Sequence, residues 1–239
     1  MTLARPGLGK GPQLEPGRRL VLVAGPLVLV AGILAVAAGI LTPRAEGVVP
    51  RDTAPFPLRP YSHMEALLEK TLFKVDVLTL DVQVDPHTAL RLQTMVEGFE
   101  YSKEVADAVS RTVLTAPQAW VRMEFLRSVS QKQYLDGIRD NMKKALKADL
   151  IDKAYYEDVQ NKTPQWYDFL KERSIQKGDV MVHWVHGDTL DSTFHGVEGT
   201  VLLDMTRENP TSRYGVLGSY FAPKSAFRKN LVRSLIETE

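Results

Sequence analysis

The chain has 239 residues, a formal net charge of +1 and no cysteine. This charge balance gives no support for nucleic-acid binding, which shows as an excess or a patch of basic residues. A sequence without cysteine has no disulfide framework, no thiolate nucleophile and no cysteine metal site. Residues 63–239 are enough for one domain of ordinary size with a single hydrophobic core.

The first strong feature along the chain is an apolar segment, Leu20–Leu41, that contains no charged or strongly polar residue. An apolar helix of about 20 residues crosses the hydrocarbon core of a bilayer. Basic residues outnumber acidic ones in residues 1–19, so the positive-inside rule predicts a cytoplasmic tail and export of the rest. We therefore predict a single-pass inner-membrane protein whose domain lies in the periplasm, or otherwise outside the cytoplasm.

A cleaved signal peptide is the alternative, because Ala35-Val36-Ala37 resembles a small-residue cleavage site. The apolar run is longer than the roughly 7–15 residues of a signal peptide, which favours an uncleaved signal anchor. Residues 42–62 contain five prolines and predict an extended linker. The predicted organisation is a basic tail (1–19), a transmembrane anchor (20–41), a linker (42–62) and one domain (63–239).

Alternating apolar and polar residues predict the first strand of the domain over Thr71–Val84. The alternation changes phase at Val77–Leu78, which one straight strand cannot do because its side chains alternate strictly. We therefore predict a β-bulge at this point that restores one buried face. Further along, Ala119–Arg127 shows the same alternation and is also predicted to be a strand.

Three helices in the middle of the chain are predicted from capping residues and from apolar residues at helical spacing. The first spans Ser102–Leu114. The second spans Ser130–Leu150 and begins with an S-x-x-Q capping box. The third is predicted to begin at Thr163-Pro164, an N-cap followed by proline at the first helical position.

The last third of the chain predicts antiparallel strands followed by two helices. Strands over Asp179–Val185 and Thr189–His195 flank a tight glycine turn, and a third strand covers Thr200–Met205. Two closing helices follow at Tyr214–Phe221 and Lys224–Ile236. Because the strands are joined by hairpins, the predicted fold class is α+β rather than doubly wound α/β.

Asn141 is the most informative polar residue of the domain. It lies seven residues after Tyr134 and three after Ile138, so it shares the apolar side of its helix. Burying an amide without a partner costs roughly 1–3 kcal/mol. Asn141 therefore either bonds a neighbouring backbone group or faces a binding pocket, with Tyr134 two turns before it.

Other signatures of catalysis are missing from the sequence. No G-x-S-x-G nucleophile elbow, Walker A loop or G-x-G-x-x-G dinucleotide motif occurs. His183 and His186 have the spacing of a metal pair, but three residues along a strand place their side chains on opposite faces. We predict neither a metal site nor a cofactor.

From about Glu65 to Ile236 the sequence resembles the chalcone isomerase-like proteins, in particular their exported bacterial branch. The stretches that carry the resemblance are LFKVDVLTLDV (72–82), WVRMEFLRSVSQKQYLDGIRDNMKKAL (120–146), QKGDVMVHWVHGDTLDSTFHGVEGTV (176–201) and YGVLGSYFAPKSAFRKNLVRSL (214–235). The resemblance implies an open-faced β-sandwich, in which a large antiparallel sheet packs against helices with a cleft between them. Plant enzymes of this family close a chalcone into a flavanone by intramolecular Michael addition. Other members hold a fatty acid in the cleft without catalysis.

The resemblance also implies a set of cleft residues. Tyr134 and Asn141 match the tyrosine and asparagine of the family's cleft, including the gap of seven, and Ser219 stands where a late threonine or serine is found. The strand threonine of the family falls on Asp76, and its arginine falls near Lys70. These two departures weigh against chalcone cyclisation, because lysine lacks the planar fork of arginine and an aspartate would repel a phenolate or a carboxylate.

We therefore predict first a membrane-anchored, non-catalytic domain that binds an apolar or amphipathic, fatty-acid-like molecule. One alternative is an isomerase acting on a chalcone-like phenol, in which Tyr134 and Asn141 orient the substrate and Lys70 stabilises the developing enolate. The other is an interaction or scaffold module of the envelope, whose cleft is filled by its own side chains. The expected partners are the membrane, through Leu20–Leu41, and a lipid-like or phenolic small molecule, with no nucleic acid.

Overall fold

The computed structural model describes residues 53–70 and 75–237. The predicted anchor, Leu20–Leu41, lies outside the described residues, as do residues 71–74 of the first predicted strand. Within the described ranges, no helix has both the length and the apolar character needed to cross a membrane.

The described residues build a six-stranded antiparallel sheet in which each strand pairs with its neighbours in sequence. The strands are β1 (His63–Lys70), β2 (Val75–Val84), β3 (Gln118–Phe125), β4 (Val180–His186), β5 (Thr189–His195) and β6 (Val201–Glu208). The turn between β4 and β5 contains Gly187 at a φ of +57°, a conformation that favours glycine. The predicted α+β class and the predicted meander of β4 to β6 are confirmed. Strand β1 was not predicted, because the exposed Leu67 interrupts its alternation.

The predicted bulge in β2 is confirmed by the pairing register. Leu68 pairs with Leu78 and Glu69 pairs with Asp76, which leaves Val77 as an extra residue on β2. The extra residue shifts the alternation by one position. As a result Val77 and Leu78 both pack into the main core, and the apolar residues after them face the same way.

Helices cover one face of the sheet, which we call the inner face. They are α1 (Pro86–Val96), α2 (Lys103–Leu114), α3 (Gln131–Lys147), α4 (Lys153–Trp166), α5 (Pro210–Phe221) and α6 (Arg228–Ile236), with a short 3-10 turn at Asp168–Lys171. Apolar side chains from the inner face of all six strands and from the helices form the main core, and a second buried cluster lies between α3 and α4. The closing helix α6 begins later than predicted.

Side-chain caps fix the starts of several helices. Ser102 caps α2, and Ser130 forms the predicted capping box with Gln133 at the start of α3. Helix α1 was not predicted, although its signal is present: the buried carboxylate of Asp85 accepts hydrogen bonds from the backbone of His87 and Thr88, and Pro86 follows it. An aspartate followed by proline is a helix start as well as a strand end.

The prediction that a helix begins at Thr163-Pro164 is wrong. Both residues lie in the last turn of α4. The N-cap of that helix is Asp152, eleven residues before the predicted cap at Thr163. Tyr155, Val159 and Thr163 recur at a spacing of four and are buried, so apolar packing extends the helix through this point. Proline is tolerated there because only the final turn loses a backbone hydrogen bond.

The outer face of the sheet is partly covered by the segment before β1. Ala54 and Phe56, from the predicted linker, pack against a buried cluster of Trp120, Val180 and Val182. The main cavity described below therefore lies on the other side of the sheet from this segment.

Helices α4 and α5 approach each other closely at Gly215. A Cβ added there would lie 2.8 Å from the hydroxyl oxygen and 2.9 Å from a ring carbon of Tyr155. We expect Gly215→Ala to lower the free energy of unfolding by about 1–3 kcal/mol, because the buried ring must move. Chemical denaturation monitored by circular dichroism measures the change.

Gly137 on α3 provides the matched control. A Cβ there would meet no atom within 4 Å. We expect Gly137→Ala to be neutral or to stabilise the protein by up to about 1 kcal/mol, because alanine has the higher helix propensity. Equal effects of the two substitutions would contradict the close approach of α4 and α5.

Candidate functional site

A cavity of about 210 Å³ lies between the inner face of the sheet and the helices. Its lining residues come from all six strands and from α3, α4 and α5. Neighbouring strands lie about 4.8 Å apart, so a space that touches both β1 and β6 extends roughly 24 Å across the sheet. A small volume spread over that distance describes a narrow, elongated cavity.

The pairing register shows that the cavity crosses the sheet diagonally. On β2 and β3 it is lined by Leu78 and Phe125, which pair with each other. On β6 it is lined by Arg207, which pairs with Leu190 on β5. Leu190 in turn pairs with Val185 on β4, Val185 pairs with Ala119 on β3, and Ala119 pairs with Val84 on β2. Val84 lies six residues beyond Leu78, so the two ends of the cavity lie toward opposite ends of the strands.

Tyr134 and Asn141, the two residues singled out on α3, both line the cavity. Tyr134 is buried and Asn141 is half-buried. The side-chain oxygen of Asn141 accepts a hydrogen bond from Lys144 Nζ at 3.1 Å. Asn141 therefore lies in the cavity wall with a lysine of the same helix as its hydrogen-bond partner, and its part in ligand binding stays a prediction.

The tyrosines of the cavity wall are held in their neutral form. The rings of Tyr134 and Tyr167 meet edge to face with centroids 5.0 Å apart. Burial, reinforced by Tyr167, raises the pKa of Tyr134 well above its usual value of 10. Burial also raises the pKa of Tyr167 to about 12 and raises the pKa of Tyr220. These three phenols are therefore protonated at physiological pH.

Of the other predicted site residues, the structure describes the side chain of Ser219 but not those of Lys70 and Asp76. Ser219, on α5, is buried in the cavity wall, and its Oγ donates a hydrogen bond to the carbonyl of Gly215 at 2.7 Å. Its proton is thus used within its own helix. Lys70 and Asp76 lie at the paired ends of β1 and β2. Their side chains lie outside the described part of the structure, and their assignment to the site stays a prediction.

Two polar residues of the sheet also line the cavity. His183 on β4 and Ser192 on β5 are joined by a hydrogen bond of 2.8 Å between Nδ1 and Oγ. Burial lowers the pKa of His183 to about 4, so its imidazole is neutral near pH 7. His186 lies on the outer face and bonds Asp191 at 2.9 Å, which confirms that the two histidines point to opposite sides of the sheet.

Arg207, on β6, is a cavity residue that no sequence pattern singled out. Its guanidinium lies 4.8 Å from the ring centroid of Trp166 and 5.5 Å from that of Tyr155, both on α4. Its side chain is 16% exposed, and its Nη2 lies 3.4 Å from Asp158. Among the described lining residues, Arg207 is alone in carrying a charge at neutral pH. The sequence feature that could have identified it is its spacing of two residues from Met205, which places both side chains on the inner face.

A second group of titratable residues lies on the outer face of the sheet, away from the cavity. His63 Nε2 is 3.4 Å from Glu65 and 3.8 Å from Asp81. The carboxylates of Asp81 and Glu65 beside it raise the pKa of His63. Arg122 lies 3.7 Å from the same aspartate and would repel a bound cation. We therefore interpret this group as surface ion pairing rather than as a metal site.

Comparison with known proteins gives a likeness of fold. No protein-family model matches the chain, and no curated protein matches it in sequence. The structure is similar to a crystal structure of a fatty-acid binding protein from Arabidopsis thaliana, with a TM-score of 0.53 and 12% sequence identity. The match covers 74% of this chain and 88% of that one. The neighbour is of the chalcone isomerase-like family, and the open six-stranded sheet with its helices is consistent with that fold.

The neutral imidazole of His183 predicts a specific loss of stability in acid. Its pKa is about 4 in the folded protein and about 6.5 in an unfolded chain, so the unfolded state takes up the proton first as the pH falls. We expect this histidine to remove up to about 3 kcal/mol of stability between pH 6.5 and pH 4. Denaturation measured across that range should show a weaker pH dependence for His183→Gln than for the wild type.

His87→Gln, which replaces an exposed histidine outside the cavity, is the control for the substitution itself. If wild type and His183→Gln lose stability with the same slope between pH 6.5 and pH 4, His183 is not held neutral by burial.

Proposed function

We propose that this chain is a non-catalytic binding protein of the chalcone isomerase-like family that takes an apolar or amphipathic, fatty-acid-like molecule into the cavity. The observation that carries the proposal is the cavity itself, which is mostly apolar and bordered by Tyr134 and Asn141. Ligand sites in proteins are mostly apolar, with a few polar groups that fix orientation. The likeness in fold to a fatty-acid binding protein supports the same class of ligand.

The shape of the cavity favours a flexible tail over linked rings. Its volume of about 210 Å³ is below the roughly 300–1,000 Å³ of pockets that bury drug-sized ligands. A chain of methylene groups can follow a narrow diagonal space, whereas a two-ringed phenol needs greater width. Each buried methylene contributes about 0.8 kcal/mol, so a long tail supplies the affinity without polar contacts.

The chemistry of the lining also favours binding over isomerisation. An effective general acid or base has a pKa near the working pH. The pKa of His183 is about 4 and that of Tyr134 is well above 10, so neither exchanges a proton readily near neutrality. The hydroxyl proton of Ser219 is engaged in a bond to the carbonyl of Gly215. The open cavity beside Asn141 weighs against the scaffold alternative, in which the cleft is filled.

Attachment of the domain to the outer side of the inner membrane is part of the same proposal. It is supported by the apolar run Leu20–Leu41 and by the basic residues before it. A site held close to a bilayer suits a lipid-like ligand.

Protease added outside spheroplasts is expected to digest the domain and leave the tail protected; full protection of the domain would contradict this placement.

Gly137 offers a direct way to close the cavity. Gln133 and Gly137 are exposed lining residues on α3, and they mark a place where the cavity reaches solvent. A large side chain at Gly137 can enter this opening because a Cβ there meets no atom within 4 Å. We expect Gly137→Phe to weaken the binding of decanoic acid by about tenfold or more, equivalent to about 1.4 kcal/mol. Titration calorimetry of the full-length chain measures the change, with Gly137→Ala as the control that retains binding.

Two results would overturn the proposal. The first is an empty cavity by native mass spectrometry after purification without alkyl detergents, together with no binding of decanoic acid. The second is conversion of a chalcone faster than its spontaneous cyclisation, at a rate that falls in Tyr134→Phe. That second result would favour the isomerase.

A further inference from the structure

We propose that Arg207 binds the anionic head group of the ligand, and that the ligand is a single-tailed carboxylate whose tail runs diagonally along the cavity toward β1. This inference rests on the proposed function, and it adds the charge of the ligand and its direction in the same cavity. Arg207 lines the cavity at the β6 edge of the sheet. Leu68 and Val77 line it at the opposite edge and offer only apolar surface.

The charge distribution of the cavity supports an anionic ligand. The tyrosines and His183 are neutral at physiological pH, so the guanidinium of Arg207 sets the polarity of the described lining. Its neighbours in the wall, Leu190 and Met205, are apolar. A charge acts more strongly in such surroundings than in water, because the effective dielectric constant is lower. A neutral ligand would leave this charge with only two aromatic rings and the long contact to Asp158 as compensation.

The guanidinium is held in place while most of its donors stay available. Trp166 and Tyr155 lie within about 6 Å of it, the range of a cation–π contact. These contacts position the group without using its N–H donors. A guanidinium has five such donors. Among the described residues, Arg207 forms one hydrogen bond, from Nη2 to Asp158 at 3.4 Å, so a carboxylate can still bind in the bidentate manner typical of arginine.

Asp158 is a weak partner for Arg207 because it is shared. Its other carboxylate oxygen lies 2.6 Å from Lys162 Nζ, one turn further along α4. The shorter contact is to the lysine, and the longer one of 3.4 Å is to the arginine. A ligand carboxylate can therefore compete for Arg207 while Asp158 keeps Lys162. The opposing interpretation is that Arg207 only joins β6 to α4, and the experiment below separates the two.

The first arm of the experiment changes the ligand and leaves the protein intact. Calorimetry on the full-length chain compares decanoic acid with methyl decanoate at about pH 8, where the acid is ionised. If Arg207 forms a hydrogen-bonded charge pair with the carboxylate, the acid should bind about tenfold or more tightly than the ester. Tighter binding of decyl phosphate than of decanoic acid would overturn the assignment of a carboxylate.

The second arm changes the protein. In Arg207→Met the preference for the acid should disappear while the ester still binds, and in Arg207→Lys it should be partly kept, because lysine retains the charge but not the fork. Arg122→Met is the matched control, since Arg122 is a half-buried arginine on the outer face.

Asp158→Asn should strengthen binding of the acid but not of the ester, because it removes a competing carboxylate. Thermal unfolding checks that each variant is folded.

The outcomes distinguish this inference from the proposed function. If wild type binds acid and ester equally, or if Arg207→Met keeps the preference for the acid, Arg207 does not bind the head group, although the cavity still binds a tail. If neither compound binds to the wild type, the proposed function fails and this inference fails with it.

Discussion

The rest of the structure depends on the strict alternation of side chains along six antiparallel strands. Each strand pairs with its neighbours in sequence, but only part of the register is set by tight turns: a two-residue turn fixes β4 against β5, whereas β2–β3 and β3–β4 are joined through helices. A slip of one residue would turn His183, Ser192 and Arg207 from the inner face to the outer face. The extra residue at Val77 serves the same constraint, because it corrects the phase of β2 and keeps one continuous apolar face. The cavity lies between this face and helices α3, α4 and α5.

Burial in that cavity decides which groups carry charge. Removing a side chain from water disfavours its charged form, so buried tyrosine stays protonated and buried histidine stays unprotonated. Arginine is the exception, because its guanidinium cannot be deprotonated under the conditions of a protein interior. The same burial that neutralises Tyr134 and His183 therefore leaves Arg207 as a fixed positive charge. A mostly apolar cavity thus gains a charged end at Arg207.

Features with a local signal could be predicted from the sequence, and features that depend on tertiary packing could not. The cap at Ser102, the bulge at Val77 and the shared side of Tyr134 and Asn141 follow from the spacing of residues within one element. The helix start predicted at Thr163-Pro164 was wrong because the packing of α4 decides where that helix begins. Arg207 was not predicted because its role depends on a strand and a helix that are far apart in sequence. The edge-to-face contact between Tyr134 and Tyr167 has the same origin.

The contacts of Arg207 differ from those of an arginine with a purely structural role. A partly buried guanidinium that lacks a close partner costs free energy, and a buried arginine is usually compensated by a short, bidentate ion pair. The protein has a short ion pair elsewhere: Nη2 of Arg173 donates to both oxygens of the fully buried Asp179, at 2.6 and 2.9 Å. At Arg207 the compensation consists instead of two aromatic rings and one long contact to a shared aspartate. That incomplete compensation is what a binding site requires, because a guanidinium already satisfied by the protein would gain nothing from a ligand.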